Sequence, residues 1–104
     1  RCLIPATNYF EWEKRGREKI KYAIRQADAG LLYMAGLYRV ENGSAVFTIL
    51  TREPAEQIRF IHDRMPVILT SDAKQDWLNL DCDATQILAQ ACENVVFCAV
   101  DVSC

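Results

Sequence analysis

An Asn-Gly pair lies between two apolar segments of the chain, and it is the feature that most constrains the fold. Asn42 and Gly43 suit the two positive φ angles that a two-residue β-hairpin turn requires. The apolar segment Leu31–Tyr38 precedes the pair, and Ala45–Leu50 follows it. The pattern therefore predicts two antiparallel strands joined by a tight turn.

Further strand patterns precede this hairpin. Ile20–Arg25 alternates apolar and polar residues, which is typical of a half-buried strand. Tyr9–Trp12 predicts the strand before it, and Lys14–Arg17 predicts a solvated loop between the two. Pro5 follows an apolar pair and indicates a strand edge or a break. The first half of the chain is therefore predicted to form antiparallel sheet.

The second half combines a predicted helix with short strands. Pro54 suits the first turn of a helix, with Ile58 and Ile61 as its buried residues. Because the residue before a proline disfavours the helical conformation, Pro66 predicts a turn or an extended connector just before it. The apolar segment Val67–Leu69 then predicts a short strand.

Two more helices and a last strand are expected after this segment. Ser71 predicts a helix N-cap, with Trp77 and Leu80 on the buried side of that helix. Another helix is expected over Thr85–Cys92 and a strand over Val95–Val102. The sequence thus predicts an α+β fold, mainly antiparallel sheet with about three short helices. One face of the last strand is expected to be buried, with Cys98 in the core, and it comprises Val96, Cys98, Val100 and Val102.

Composition limits both the size and the chemistry of the protein. With 104 residues, 51% of them hydrophobic and 25% charged, the chain has a globular composition and forms one domain at most. It has no apolar run of about 18 residues, so we expect no membrane-spanning helix. A single histidine, and cysteines without a C-x-x-C motif, predict neither a metal site nor a cofactor. An odd number of scattered cysteines, five in all, with no signal peptide, also favours a reducing compartment and hence a cytoplasmic location.

Charge is unevenly distributed along the chain. The formal net charge is −2, which argues against a globally basic nucleic-acid binder. Residues 1–25, however, contain seven Lys or Arg and three Asp or Glu, a balance of +4, whereas the rest contain five against eleven. A basic face could therefore coexist with an acidic chain.

Two residues have the chemistry for proton transfer. Glu11 lies among aromatic residues on a predicted strand, where a carboxyl group loses hydration and can act as a general acid or base. The alternative is that Glu11 points out of an exposed strand face. Histidine alone ordinarily titrates near neutral pH, so His62 is the default proton-transfer residue, with a structural or surface role as its alternative.

Two other residues suggest contact with a phosphate. Arg64 could bind a phosphate oxygen with its planar guanidinium, or it could pair with Asp63 or a helix C-terminus. Thr51 could donate to a phosphate, or it could cap a helix. The residues by themselves thus describe a mostly β domain with a candidate Glu/His pair and no nucleophile.

Five sequence blocks together resemble one family. They read RCLIPA, YFEW, YMAGL, FTILT and IHDRMPVIL, and they occupy residues 1–6, 9–12, 33–37, 47–51 and 61–69. In order and spacing they resemble the SOS-response-associated peptidase (SRAP) family over the whole chain. The resemblance implies an SRAP-like fold.

The resemblance also implies a function. SRAP proteins recognise abasic sites in single-stranded DNA, and an N-terminal cysteine, exposed by autoproteolytic removal of the initiator Met, forms a covalent thiazolidine crosslink with the lesion. By resemblance, Glu11 transfers protons and assists Met removal, and His62 protonates the sugar oxygen as the ring opens. Arg64 and Thr51 would contact the DNA backbone. The family further implies a bacterial cytoplasmic protein that joins the nucleoid when it is on DNA, with no cofactor.

Part of the family pattern has no counterpart in the chain. A Cys-Gly-Arg opening, which supplies the nucleophile, and an Asn-Ala-Arg block would both precede Cys2. Cys2 itself is internal to the family pattern and is not the catalytic cysteine. We therefore expect residues 1–104 to be the C-terminal portion of a single SRAP domain, inactive alone and with exposed apolar surface.

Two other functions agree with the same residues. A thiol peptidase that cleaves other proteins would use the same pair, Glu11 and His62. A non-covalent module that binds single-stranded DNA would use Arg64 and the basic segment Lys14–Arg17. Salt-sensitive binding without a covalent product would favour this last function.

Overall fold

The computed structural model describes residues 1–28, 30–91 and 96–102. Within these residues the chain combines antiparallel strands with two α-helices and one 3₁₀ turn, so the predicted α+β fold is confirmed. No helix in the described part is long and apolar enough to cross a membrane. The strands of the first half are β1 (Cys2–Ala6), β2 (Tyr9–Arg15), β3 (Glu18–Gln26), β4 (Leu32–Glu41) and β5 (Ser44–Ile49). The later elements are β6 (Thr51–Arg52), the 3₁₀ turn (Glu56–Ile58), β7 (Met65–Pro66), α1 (Ser71–Leu78), α2 (Ala84–Gln90) and β8 (Phe97–Asp101).

The strands of the described residues are arranged in three antiparallel sheets. Sheet A has the order β1-β4-β5, sheet B has the order β2-β3-β8, and β6 pairs with β7. The turn between β4 and β5 consists of Asn42 and Gly43, with φ angles of 50° and 81°. The predicted hairpin is therefore confirmed, because an Asn-Gly pair adopts these angles at little cost.

Sheet A lies between two apolar cores. On β4, Leu32 and Met34 face sheet B, whereas Ala35 faces the helices. The described part of the chain thus forms three layers, in the order sheet B, sheet A and helices. The core between the sheets includes Tyr22, Ile24, Ile58, Ile61, Met65, Ile68 and Phe97. The core beneath the helices includes Val67, Leu69, Trp77, Ile87 and Ala91.

The helix predicted after Pro54 is reduced to the 3₁₀ turn. Ile58 and Ile61 are buried as predicted, but the backbone N–H of Ala55 donates to Met65 Sδ at 3.2 Å. This contact fixes the start of the segment beside β7, so the chain returns to the sheet instead of continuing a helix. The strand predicted at Val67–Leu69 is an extended segment with a single bridge to β4.

The helix cap and one buried residue of α1 were predicted wrongly. Thr70, and not Ser71, is the N-cap, and its side chain accepts from the N–H of Ala73. Trp77 is buried as predicted, but α1 ends at Leu78, so Leu80 lies beyond the helix and is exposed. The helix predicted over 85–92 is α2, and Cys92 lies outside the described residues.

The predicted buried face of the last strand is also wrong. Phe97 and Ala99 face the core, because β8 pairs with β3 so that these two residues lie beside Gln26 and Ile24. Cys98 therefore lies on the opposite face and is half-buried. The exposed valines of that face are Val96, Val100 and Val102.

Apolar side chains are exposed at the turn end of the β4–β5 hairpin. Tyr38, Val40 and Phe47 are all exposed there. This agrees with the expected exposure of apolar surface, since the hairpin extends beyond the core that covers its other end.

Candidate functional site

The segment between the 3₁₀ turn and β7 presents three consecutive polar side chains. Ile61 and Met65 are buried at its two ends, whereas His62, Asp63 and Arg64 are exposed. The two buried anchors fix the backbone, so the side chains between them project to solvent from a defined position.

Arg64, which directly precedes β7, is held by a residue of β6. β6 and β7 align Thr51 with Pro66, which brings the Thr51 hydroxyl next to the Arg64 guanidinium. Arg64 donates to Thr51 Oγ1 from Nη2 at 3.1 Å and from Nε at 3.4 Å. A guanidinium carries five N–H donors, so this contact leaves others able to bind a phosphate oxygen.

The imidazole of His62 has a neighbour for each of its protonation states. Nδ1 accepts the backbone N–H of Arg64 at 3.2 Å, which suits the neutral ring with its proton on Nε2. The same Nδ1 lies 3.2 Å from Asp63 Oδ1, to which a protonated ring would donate. Nδ1 of His62 thus has one hydrogen-bond donor and one carboxylate oxygen within 3.2 Å.

Glu11 is connected to this segment through two aromatic residues. It is half-buried, its Oε1 accepts the N–H of Trp12 at 3.2 Å, and it lies directly opposite Tyr22 in sheet B. The Tyr22 ring meets the Phe60 ring edge-on, with 5.5 Å between centroids, and Phe60 is two residues before His62. The structure thus places Arg64 in contact with both Thr51 and His62 and connects Glu11 to them indirectly.

Tyr22 is a member of the site that the sequence pattern did not single out. Its hydroxyl lies 3.4 Å from both Glu13 Oε1 and Arg15 Nη2, and Arg15 forms an ion pair with Glu13 at 3.0 Å. Burial raises the pKa of Tyr22, and the negative charge of Glu13 raises it further. The hydrogen bond with Glu13 and its charge likewise raise the pKa of Arg15. Tyr22 therefore keeps its proton well into the alkaline range.

The turn between β2 and β3 determines which residue lies opposite Glu11. The predicted loop Lys14–Arg17 is in fact a two-residue turn of Gly16 and Arg17, with Gly16 at φ 59°. Arg15 consequently pairs with Glu18, and the same register aligns Glu11 with Tyr22. Reading Gly16-Arg17 as a two-residue turn, with the glycine at a positive φ angle, would have predicted that Glu11 lies opposite Tyr22.

Cysteines and carboxylates do not form a metal site in the described part of the chain. Cys2, Cys82 and Cys98 are free thiols. Within residues 1–28, 30–91 and 96–102, no group of three or more His, Cys, Asp or Glu side chains could hold a metal ion.

A comparison with known families identifies the chain. The sequence model of the SOS response associated peptidase (SRAP) family matches residues 1–103. The chain belongs to the SRAP family. The resemblance of its five sequence blocks is therefore confirmed.

Named relatives and a solved structure extend this SRAP assignment. The chain is 42% identical to the abasic site processing protein YobE of Bacillus subtilis, over 76% of this chain and 39% of YobE. It is 40% identical to the abasic site processing protein YoqW of the same organism, over 86% of this chain and 44% of YoqW. A crystal structure of a Bacteroides thetaiotaomicron protein superposes with a TM-score of 0.78 at 29% identity, covering 97% of this chain and 49% of that one. The chain thus spans less than half the length of these relatives.

Proposed function

We propose that this SRAP chain is the C-terminal portion of a single domain, in a protein that recognises abasic sites in single-stranded DNA and links itself to them covalently. The names of the relatives YobE and YoqW support abasic DNA as the substrate. The observation that carries the proposal is the contact between Arg64 and Thr51 beside His62, because it joins a cation for a phosphate oxygen to a group that can transfer a proton. The protein would act in the cytoplasm, on the nucleoid when it is bound to DNA.

The crosslink would use an N-terminal cysteine supplied by a segment that precedes this chain in the family pattern. Its amine adds to the aldehyde of the ring-opened sugar and loses one water to form an imine. Its thiol then adds to the imine carbon, the thiol proton passes to the nitrogen, and a thiazolidine ring closes. The sequence of steps is balanced without an oxidant or a reductant.

Each proposed site residue has one role in these steps. His62 protonates the sugar oxygen so that the ring opens to the aldehyde, and Glu11 transfers protons at the cysteine amine. Arg64 binds a phosphate oxygen, and Thr51 keeps the guanidinium in position beside the strand. Phosphate contacts of this kind position a strand without reading its sequence.

The test is a crosslinking assay with the full-length protein. A labelled single-stranded oligonucleotide with one abasic site should give a covalent product on a denaturing gel, whereas a tetrahydrofuran analogue, which has no aldehyde, should give none. We expect Glu11→Gln and His62→Gln to slow the product by about 10²- to 10⁴-fold, the usual range for general acid–base catalysis.

A matched substitution controls for loss of a carboxylate alone. Glu56, on the 3₁₀ turn, has an exposed carboxylate that pairs with Arg59, so Glu56→Gln should crosslink at the parental rate. If the Glu11 and His62 variants both retain the parental rate, these site assignments are wrong. If the protein binds the abasic strand but yields no covalent product, it is a non-covalent binding module.

A further inference from the structure

The two faces of sheet B differ in charge. Strand alternation directs Glu11, Glu13, Glu18 and Asp101 to the same side as the buried Tyr22. The opposite side, which we call the outer face of sheet B, has no carboxylate among the described residues of its three strands. Its aromatic and cationic side chains are Phe10, Trp12, Lys14, Lys19, Lys21 and Arg25.

Aromatic rings and a cation are interleaved on this outer face. The Nζ of Lys21 lies 4.3 Å from the ring centroid of Phe10 and 5.6 Å from that of Trp12. The two aromatic residues remain 47% and 45% exposed. Proteins that bind single-stranded nucleic acid without sequence preference combine such rings, on which bases stack, with cations that follow the phosphates.

Two lysines of the outer face lie opposite each other. Lys14 on β2 pairs with Lys19 on β3, and like charges at directly opposed positions destabilise a sheet. The next pair along the same hairpin, Arg15 with Glu18, combines opposite charges on the other face. A phosphate bound between Lys14 and Lys19 would relieve the repulsion that the folded protein otherwise retains.

We propose that the outer face of sheet B is a second, non-covalent contact surface for single-stranded DNA. Bases stack on Phe10 and Trp12, and phosphates lie against Lys14, Lys19 and Lys21. That the bound polyanion is DNA rests on the proposed function. The cationic surface itself is observed independently of that function. Because Glu11 faces the other side of the sheet, this surface would hold undamaged nucleotides away from the crosslinking centre.

The test measures binding of the full-length protein to a labelled oligo-dT strand without abasic sites, by fluorescence anisotropy. Each phosphate contact with a single strand contributes about 0.7 to the slope of log affinity against log salt concentration. One contact is therefore worth about fivefold in affinity at 0.1 M salt relative to 1 M salt. The double variant Lys14→Gln/Lys19→Gln should therefore bind about 25-fold more weakly, and its salt slope should fall by about 1.4. Trp12→Leu should weaken binding about fivefold or more through loss of stacking.

Two matched variants separate a local surface from net charge and from misfolding. Arg39→Gln/Arg59→Gln removes the same charge from residues outside the outer face, and it should bind as the parent does. Lys14→Arg/Lys19→Arg keeps the charge and should also bind as the parent does.

Three outcomes would overturn the proposal. In the first, the Lys14→Gln/Lys19→Gln variant binds oligo-dT with parental affinity. In the second, the Arg39→Gln/Arg59→Gln control loses as much oligo-dT affinity as the lysine variant. In the third, the lysine substitutions weaken binding to vesicles with anionic lipid but leave oligo-dT binding unchanged. If the parental protein forms no crosslink with abasic DNA but still binds oligo-dT in a lysine-dependent way, the proposed function is rejected and this surface is not.

Discussion

The guanidinium of Arg64 donates to the hydroxyl of Thr51 from both Nη2 and Nε, across a separation of 13 residues. The pairing of β6 with β7 makes this contact possible, since it aligns Thr51 with the residue two beyond Arg64. Both side chains are exposed, so neither is held by a core. The direction of the guanidinium therefore depends on one hydroxyl acceptor, which makes that hydroxyl testable.

We expect Thr51→Val to weaken binding of a single strand containing a tetrahydrofuran site by about two- to tenfold. This range corresponds to the loss of one ordinary hydrogen bond, about 0.5–1.5 kcal/mol. Thr51→Ser keeps the acceptor and should bind as the parent does, and anisotropy titrations at fixed salt measure all three proteins. Parental binding by Thr51→Val together with weakened binding by Thr51→Ser would show that the methyl group, and not the hydroxyl, matters.

Asp63 should contribute little to crosslinking, in contrast to His62. Its carboxylate is 91% exposed, and exposed ion pairs contribute about 0–1 kcal/mol. Asp63→Asn should therefore change the single-turnover rate of crosslinking by less than about fivefold, and the difference should shrink at high salt. A hundredfold decrease would mean that Asp63 takes part in the proton transfer assigned to His62.

Stability should decrease in alkali because of Tyr22. Its pKa is raised in the folded state by burial and by Glu13, so between about pH 10 and that raised value the folded protein binds a proton that the unfolded chain has lost. This contribution is fully present below the unfolded pKa and is lost as the pH rises through the folded one. Urea unfolding of the full-length protein between pH 8 and pH 11 should show a smaller alkaline loss for Tyr22→Phe than for the parent. Tyr38→Phe, which removes a hydroxyl from an exposed ring, should retain the parental profile.

The sequence predicted those features of the fold that depend on neighbouring residues. The hairpin at Asn42 and Gly43 follows from the backbone preferences of the two turn residues, and the structure has that turn. The register of β2 and β3 could not be predicted in the same way. A loop of four residues and a turn of two differ in which residue lies opposite Glu11, and only the second makes Tyr22 its neighbour.

Long-range packing decided the features that the sequence pattern missed. Val96–Val102 alternates as a buried strand would, but its pairing with β3 turns Phe97 and Ala99 to the core and leaves the valines outside. In the site, residue types and family pattern pointed to Arg64 and Thr51 separately, while their mutual contact depends on β6 pairing with β7. The connection of Glu11 through Tyr22 and Phe60 likewise exists only after folding.

The contrast between Trp77 and Leu80 gives a direct test of the helix boundary. Trp77 is 1% exposed and its indole N–H donates to the Cys2 carbonyl at 2.9 Å, which ties α1 to β1. Trp77→Ala should therefore lower the free energy of unfolding by about 3–5 kcal/mol, the usual cost of a large cavity. Leu80 lies beyond α1 and is 75% exposed, so Leu80→Ala should change the free energy of unfolding by less than about 0.5 kcal/mol. Urea denaturation of both variants in the full-length protein measures the difference, and a Leu80 effect above about 2 kcal/mol would mean that α1 continues and buries this residue.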